Sequence, residues 1–138
     1  MLENFFAPYA GVGELILRLG LGITFFAHGR EKIQNPAEFA GFLKQIHVPL
    51  ALLNAWIVAL LETVGALLLI LGIATRPIAL ALAIDMLVAL ATLRIGKAPF
   101  ASGGKGAGWD FEFILLMASL ALVFSGAGPL GVDHFLGW

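Results

Sequence analysis

The sequence predicts an all-α protein, a membrane-spanning four-helix bundle that forms a single domain over residues 1–138, with a short interfacial helix between spans one and two. The chain is 60% hydrophobic and only 12% charged, whereas a soluble domain has about 25% charged residues. Four apolar segments are each close to the length of about 20 residues that crosses a bilayer as a helix. They cover approximately residues 11–32, 51–75, 77–95 and 109–126.

Short polar segments separate the four predicted spans. Thr75, Arg76 and Pro77 predict a tight turn that makes spans two and three an antiparallel hairpin, because proline is well tolerated at the first position of a helix. In the first loop, Asn35 and Pro36 are typical of a helix start. The apolar residues that follow repeat with helical spacing: Phe39, Phe42, Leu43 and Ile46. They predict an amphipathic helix in the membrane interface, with an ordinary loop as the alternative.

Lysine and arginine are unevenly distributed between the two ends of the predicted spans. The first and third loops with their flanks hold most of them: Arg30, Lys32, Lys44, Arg94, Lys97 and Lys105. The opposite end holds only Arg76. Because cytoplasmic loops carry the excess of basic residues, we expect loops one and three in the cytoplasm and both termini outside. The N-terminus lacks the basic region of a cleavable signal peptide, so we expect the first span to be retained.

Composition excludes several classes of function. A net charge of −1 does not fit a nucleic-acid-binding protein. The absence of cysteine excludes disulfide exchange, thiolate catalysis and iron–sulfur ligation. His28, His47 and His134 are too dispersed along the chain to predict a metal or haem site. Any redox role therefore requires a bound cofactor or the chemistry of a partner protein.

Each predicted span carries an ionisable residue on the same helical face as its small residues. In the first span, Arg18 shares an arc with Glu14 and Gly22. Glu62 and Asp85 occupy the corresponding faces of spans two and three. Small residues allow helices to approach closely in lipid, and ionisable groups must face the protein interior. These faces predict a polar core in which Arg18, Glu62 and Asp85 handle protons or a ligand.

The sequence leaves three partners open for Arg18. Glu14 lies one turn away on the same helix, whereas Glu62 and Asp85 would pair with it across the bundle; the long side chain can instead extend to the interface. Arginine stays protonated in proteins. One mid-membrane carboxylate would therefore balance Arg18, while desolvation keeps the other partly protonated at pH 7. The alternative is a structural cluster that fixes the helix register.

A second polar cluster is predicted at the cytoplasmic ends of the first and fourth spans. His28 and Lys32 would face Trp109, Asp110 and Glu112 there. This cluster either closes the bundle electrostatically or flanks an opening for an amphipathic head group.

Three segments resemble the DoxX family of small bacterial membrane proteins. LRLGLGITFFAHGREKI is similar to the family's opening signature, ALLETVGALLLILGIATRPIALAL to its second helix and hairpin, and GWDFEFILLMASLAL to its fourth helix. The resemblance covers nearly the whole chain. It implies a multi-pass four-helix bundle in the bacterial inner (plasma) membrane. By position, the family's polar signature falls on Arg18, His28, Lys32, Glu62, Arg76 and Glu112.

The resemblance also implies a redox setting, because the family includes a small subunit of a thiosulfate:quinone oxidoreductase and members linked to oxidative-stress defence. We therefore expect a membrane subunit of a quinone-linked oxidoreductase or redox complex. It would use quinone as a non-covalent cofactor and act with a soluble or peripheral redox partner. The alternatives are a small transporter or lipid-binding protein, and a non-catalytic scaffold. A transporter of this size would require a homo-oligomer, because four short helices leave little room for a pathway.

Infrared spectroscopy tests the expected carboxyl protonation. The wild-type protein should show a neutral carboxyl band at pH 7, because one mid-membrane carboxyl group has no cation of its own. The band should be lost in Glu62→Gln or Asp85→Asn. A spectrum with no neutral carboxyl at pH 7 would contradict the hypothesis.

Overall fold

The computed structural model describes residues 7–94, 96–101 and 108–138, and these residues form helices and turns without a strand. The all-α prediction is therefore confirmed for the described part of the chain. The helices are α1 (Ala10–Gln34), α2 (Pro36–Gln45), α3 (Ala51–Leu71), α4 (Thr75–Ala89, continued by Leu90–Arg94), α5 (Asp110–Ser125) and α6 (Val132–Leu136). Two π-helical segments interrupt this pattern, Leu61–Gly65 within α3 and Leu90–Arg94 at the end of α4.

Among the described residues, three helical stretches are long and apolar enough to cross a membrane. They are Ala7–Gln34, Ala51–Leu71 and Thr75–Thr92. The α5 helix has 16 residues, which corresponds to about 24 Å of helix. Large apolar side chains such as Ile23, Ile57 and Ile114 are exposed on the outer faces of the helices. Such a surface is expected of helices that face lipid.

Glycine residues bring α1 against α3. A Cβ atom at Gly29 would lie 2.6 Å from the carbonyl carbon of Glu62. A Cβ atom at Gly22 would lie 3.0 Å from the carbonyl oxygen of Ala66 and would collide with the side chain of Ile70. Helices in lipid associate mainly through close packing. The two glycines therefore set the distance between α1 and α3.

The other helices pack around this pair. The α4 helix lies against α5, and both contribute to an apolar core with α1 and α3. Its larger buried members include Leu21, Phe25, Leu69, Leu82, Met86 and Leu122. The α2 helix packs on the first half of α3, where Ala40 and Leu43 contact Ala51 and Ala55. The apolar face of α2 is thus covered by protein in part.

The start of α2 agrees with the sequence only in part. Asn35 occupies the N-cap position and Pro36 is the first helical residue, as predicted. The Asn35 side chain, however, makes no capping hydrogen bond. The fixed φ of Pro36 is therefore the local feature that favours the helix start here.

The turn between α3 and α4 differs from the predicted one. Gly72 and Ala74 adopt left-handed conformations, with φ of 72° and 49°, so the chain reverses before Thr75. The α4 helix begins at Thr75 rather than at Pro77. The backbone N–H groups of Ala74 and Thr75 donate to the Asp133 carboxylate, at 2.7 and 2.8 Å. A residue of α6 thus caps α4.

The segment after α5 contains a helix that the sequence analysis did not predict. The α6 helix returns to the α3–α4 turn, where the Asp133 N–H group donates to the Gly72 carbonyl at 2.8 Å. The glycine-rich segment before α5 is one of the short polar segments that were predicted to separate the spans. Its residues 102–107 lie outside the described residues. The N–H groups of Trp109 and Asp110 donate to the Phe100 carbonyl, which holds the start of α5.

A matched pair of glycine variants tests the α1–α3 contact. Gly29→Ala should lower the free energy of unfolding by about 1–3 kcal/mol, because the new methyl group overlaps backbone atoms that cannot rotate away. Gly20→Ala should be neutral or stabilising by up to about 1 kcal/mol, since nothing lies within 4 Å of that position. Unfolding in mixed micelles measures both. Equal effects of the two substitutions would contradict the close approach at Gly29.

Candidate functional site

A cavity of about 380 Å³ lies between α1, α2, α3, α4 and α5. Much of its wall is apolar and aromatic, formed by side chains that include Phe25, Phe39, Phe42, Met86 and Phe111. A small number of polar side chains converge on the same space. This combination of an apolar wall and a few polar groups is the usual form of a small-molecule site.

An ion pair forms one polar part of the cavity wall. The Lys32 ammonium donates to Glu62 Oε2 at 2.5 Å. Glu62 is only 1% exposed, so its carboxylate depends on Lys32 for a counter-charge. The Lys32 nitrogen also lies 5.0 Å from the centre of the Phe39 ring, within range of a cation–π interaction. Lys32 therefore links α1 to both α2 and α3.

Asp85 of α4 lies beside this ion pair. Its carboxyl group interacts directly with that of Glu62 and also lies in the field of Lys32. Asp85 Oδ2 is buried and has no hydrogen-bond partner among the described residues. A buried polar atom without a partner is costly. This oxygen is consequently a group in the cavity wall that a ligand or water molecule would stabilise.

Both π-helical segments contribute side chains to the cavity. Glu62 belongs to the segment in α3, and Thr92 to the segment in α4. In each segment a threonine hydroxyl donates to the carbonyl four residues earlier: Thr63 to Ala59 at 2.6 Å, and Thr92 to Val88 at 2.7 Å. The π-helix is rare and occurs frequently at functional sites. Its appearance on two sides of one cavity favours a functional role for this space.

The residues of the second polar cluster, which was predicted at the ends of the first and fourth spans, separate into two groups. His28, Lys32 and Glu112 line the cavity. Trp109 does not line it, and packs instead edge-on against Phe100, with ring centres 4.6 Å apart. Asp110 is exposed at the start of α5. The structure thus brings the histidine, the lysine and one carboxylate to the cavity, together with Glu62 and Asp85.

Arg18 does not pair with either mid-membrane carboxylate. Its Nη1 donates to the Ile70 carbonyl at 2.9 Å and its Nη2 donates to the Leu130 carbonyl at 3.0 Å. Arg18 is 0% exposed, so it does not extend to the interface either. Asp133 and Glu14 provide the negative charges in its surroundings. Pairing with Glu62, pairing with Asp85 and extension to the interface are therefore all wrong, and Glu14 contributes negative charge without a direct ion pair.

Distance along α1 explains why Arg18 and Glu62 do not meet. Glu62 lies level with Gly29, and Gly29 is 11 residues beyond Arg18, which corresponds to about 16 Å of helix. Lys32 lies one turn from Gly29 on the same face. It consequently supplies the counter-charge of Glu62, a role for which the sequence analysis considered Arg18 among other pairings.

Three residues that contribute to these clusters were missed from the sequence. Phe39 and Phe42 were assigned to a membrane-facing surface of α2, yet both line the cavity; their helical spacing indicates a face but not what covers it. Asp133 was assigned no role, because its capping contact joins residues 58 positions apart. The turn residue Arg76 is exposed and does not line this cavity.

The fold and site define a class of protein: a small, all-helical integral membrane protein with a ligand-sized cavity beside a buried ion pair. The chain belongs to the DoxX family, whose model matches residues 5–94. It is 32% identical over 125 residues to "Putative oxidoreductase CatD" of Bacillus subtilis (strain 168). The aligned region covers 91% of this chain and 87% of that protein.

Two further relatives come from Haemophilus influenzae (strain ATCC 51907 / DSM 11121 / KW20 / Rd), and both are called "Uncharacterized protein". One is 34% identical over 124 residues, with 86% of each chain covered. The other is 34% identical over 134 residues and covers 92% of this chain and 85% of its own length. No solved structure matches this chain significantly.

A double-mutant cycle tests the buried ion pair. Lys32→Met should lower the free energy of unfolding by about 3–5 kcal/mol at pH 7, because it leaves the Glu62 carboxylate buried without a counter-charge. Adding Glu62→Gln should recover much of that loss. Arg30→Met, which removes an exposed cation two residues away, is the control and should have little effect. Additive losses in the double variant would contradict the pairing.

Proposed function

We propose that this protein is the membrane subunit of a quinone-linked oxidoreductase or oxidative-stress complex, and that the cavity holds the quinone head group. The observation that carries the proposal is the juxtaposition of an aromatic cavity with Lys32, Glu62 and the unpartnered oxygen of Asp85. A quinone is an apolar ring with two carbonyl oxygens. The name of the Bacillus subtilis relative supports an oxidoreductase setting.

The polar groups fit the chemistry of such a ligand. The Lys32 ammonium is a donor to a quinone carbonyl oxygen, and a protonated Asp85 is a second donor. Reduction of a quinone to a quinol consumes two electrons and two protons. In this proposal protonated Asp85 and the Lys32 ammonium would each give one proton to a ring oxygen and would be reprotonated from water, while Glu62 stays ionised beside Lys32. A soluble or peripheral redox partner would supply the two electrons.

The same proposal places the chain in the bacterial inner membrane as a four-helix bundle. The α5 helix would be the fourth span, although its length of about 24 Å is below the roughly 30 Å of the hydrocarbon core. The α2 helix would lie at the cytoplasmic interface and cover the cavity from that side. The basic residues of loops one and three support this orientation.

A second candidate is a small transporter or lipid-binding protein. It is favoured by the charge of the cavity wall, where Glu62, Asp85 and Glu112 outnumber Lys32. A net negative, phenylalanine-lined cavity suits an amphipathic cation.

A non-catalytic scaffold remains the third candidate and requires no ligand.

Equilibrium binding of ubiquinone-1 tests the proposal. The purified protein in micelles should bind this quinone saturably, as measured by quenching of tryptophan fluorescence. Asp85→Asn should weaken binding about tenfold, which corresponds to about 1.4 kcal/mol. Glu38→Gln, an exposed carboxylate on α2 outside the cavity wall, is the matched control and should bind as the wild type does.

The outcomes separate the three candidates. No saturable binding of ubiquinone-1, or equal affinity of the wild type, Asp85→Asn and Glu38→Gln, would overturn the quinone proposal. Tight binding of an amphipathic amine in place of quinone would favour the transporter.

Mass spectrometry of protein purified from native membranes adds an independent result. We expect quinone to be recovered together with a redox partner. Protein recovered without quinone and without a partner would count against the proposal.

A further inference from the structure

A second cavity, of about 500 Å³, lies at the opposite end of α1 from the proposed quinone site. It is bounded by the start of α1, the α3–α4 turn, the end of α5 and the chain through α6. Glu14 lines this cavity and Lys32 lines the other. These residues are 18 positions apart on α1, or about 27 Å of helix. The proposed function makes no use of this second space.

Two opposite charges, Glu14 and Arg76, line this cavity without pairing with each other, and Glu14 also lies in the field of the buried Arg18. Glu14 Oε2 is buried and has no hydrogen-bond partner among the described residues. Arg76 is exposed, and its Nη2 makes one long contact, 3.5 Å to the Phe124 carbonyl. No ion pair joins Glu14 to Arg76 in the described part of the chain. Asp133, by contrast, is already engaged in capping α4.

The loop after α5 holds these charges a short distance apart. A Cβ atom at Gly126 would lie 3.4 Å from the Arg76 guanidinium, and one at Gly128 would lie 3.3 Å from Glu14 Oε2. Both glycines have positive φ, 76° and 69°. Positions two residues apart are separated by at most about 7 Å. The acidic and basic groups therefore flank one short stretch of loop.

A buried hydroxyl group provides an independent indication of a ligand. Thr75 is 0% exposed and lines this cavity, and its Oγ1 has no hydrogen-bond partner among the described residues. Buried polar atoms in proteins are normally paired. A ligand with hydrogen-bonding groups in the cavity would satisfy both Thr75 and Glu14.

We propose that this cavity binds the head group of an amine-bearing zwitterionic phospholipid. The lipid phosphate would lie on Arg76, since guanidinium groups bind phosphate oxygens by paired hydrogen bonds. The ammonium group, two carbons away through the ethanolamine link, would lie on Glu14. Thr75 would complete the hydrogen bonding. Phosphatidylglycerol lacks the ammonium group, and the quaternary ammonium of a choline lipid carries the charge but cannot donate a hydrogen bond to Glu14.

Exposed aromatic residues around the cavity identify a membrane lipid as the source of this head group. Trp138 lines the cavity and is 75% exposed, while Phe124 and Phe135 nearby are 81% and 79% exposed. Aromatic residues concentrate at the level of the lipid head groups. The cavity therefore opens where phospholipid head groups lie and where acyl chains can run along Phe124.

Lipid retention tests this site directly. Purified protein is exchanged into micelles with equal amounts of phosphatidylethanolamine, phosphatidylglycerol and phosphatidylcholine, and retained lipids are quantified by mass spectrometry. Phosphatidylethanolamine should be enriched about fivefold over phosphatidylglycerol, as expected for one charge contact. Glu14→Gln should abolish that preference, Glu14→Asp should keep it, and Arg76→Gln should reduce retention of all three lipids.

The controls keep the test independent of folding and of the quinone site. Glu31→Gln and Arg30→Gln alter exposed charges at the other end of α1 and should retain lipids as the wild type does. All variants should bind ubiquinone-1 unchanged, so a failure here is distinguishable from a failure of the proposed function. Equal lipid ratios in the wild type and Glu14→Gln would overturn the proposal. Displacement by equimolar glycerophosphoethanolamine would also overturn it, by assigning the site to a soluble ligand.

Discussion

Glu62 and Lys32 meet between the helices because Gly29 has no side chain. A Cβ atom at Gly29 would lie 2.6 Å from the Glu62 backbone, so any larger residue would move α1 away from α3. The close approach brings the Lys32 ammonium within 2.5 Å of a carboxylate that is 1% exposed. A buried carboxylate without a cation is strongly destabilising. The Lys32–Glu62 ion pair in the cavity wall therefore depends on this one contact.

The buried charged groups lie in two clusters, one at each end of the protein. At one end, Arg18 binds the carbonyls of Ile70 and Leu130. Ile70 lies in the last turn of α3, where carbonyls lack helical partners and a positive charge is stabilised by the helix dipole. Asp133 caps the start of α4 beside it. These contacts join the α3–α4 turn to the C-terminal segment. At the other end, the ion pair, Asp85 and the aromatic wall leave space for a ligand.

The sequence allowed prediction of the long helices and of their buried faces, because helical periodicity specifies direction around an axis. Arg18, Gly22 and Gly29 were assigned to one face of α1, and all three are buried. Periodicity does not specify how far one helix slides along another. Glu62 therefore stayed one of three open partners of Arg18, whereas Lys32 is the cation that lies at its level. Asp133 could not be assigned a role, since its contacts with the α3–α4 turn depend on folding of the distant C-terminal segment.

Solid-state NMR in lipid bilayers tests the central claim, that Lys32 and not Arg18 balances the buried Glu62. The measurement is the dipolar coupling between the Glu62 carboxyl carbon and side-chain nitrogens, in samples labelled at lysine or at arginine. The account predicts a strong coupling to Lys32 Nζ, as the 2.5 Å distance requires, which disappears in Lys32→Met. It predicts no coupling to Arg18. A coupling between Glu62 and the Arg18 guanidinium, with none to Lys32, would contradict the account.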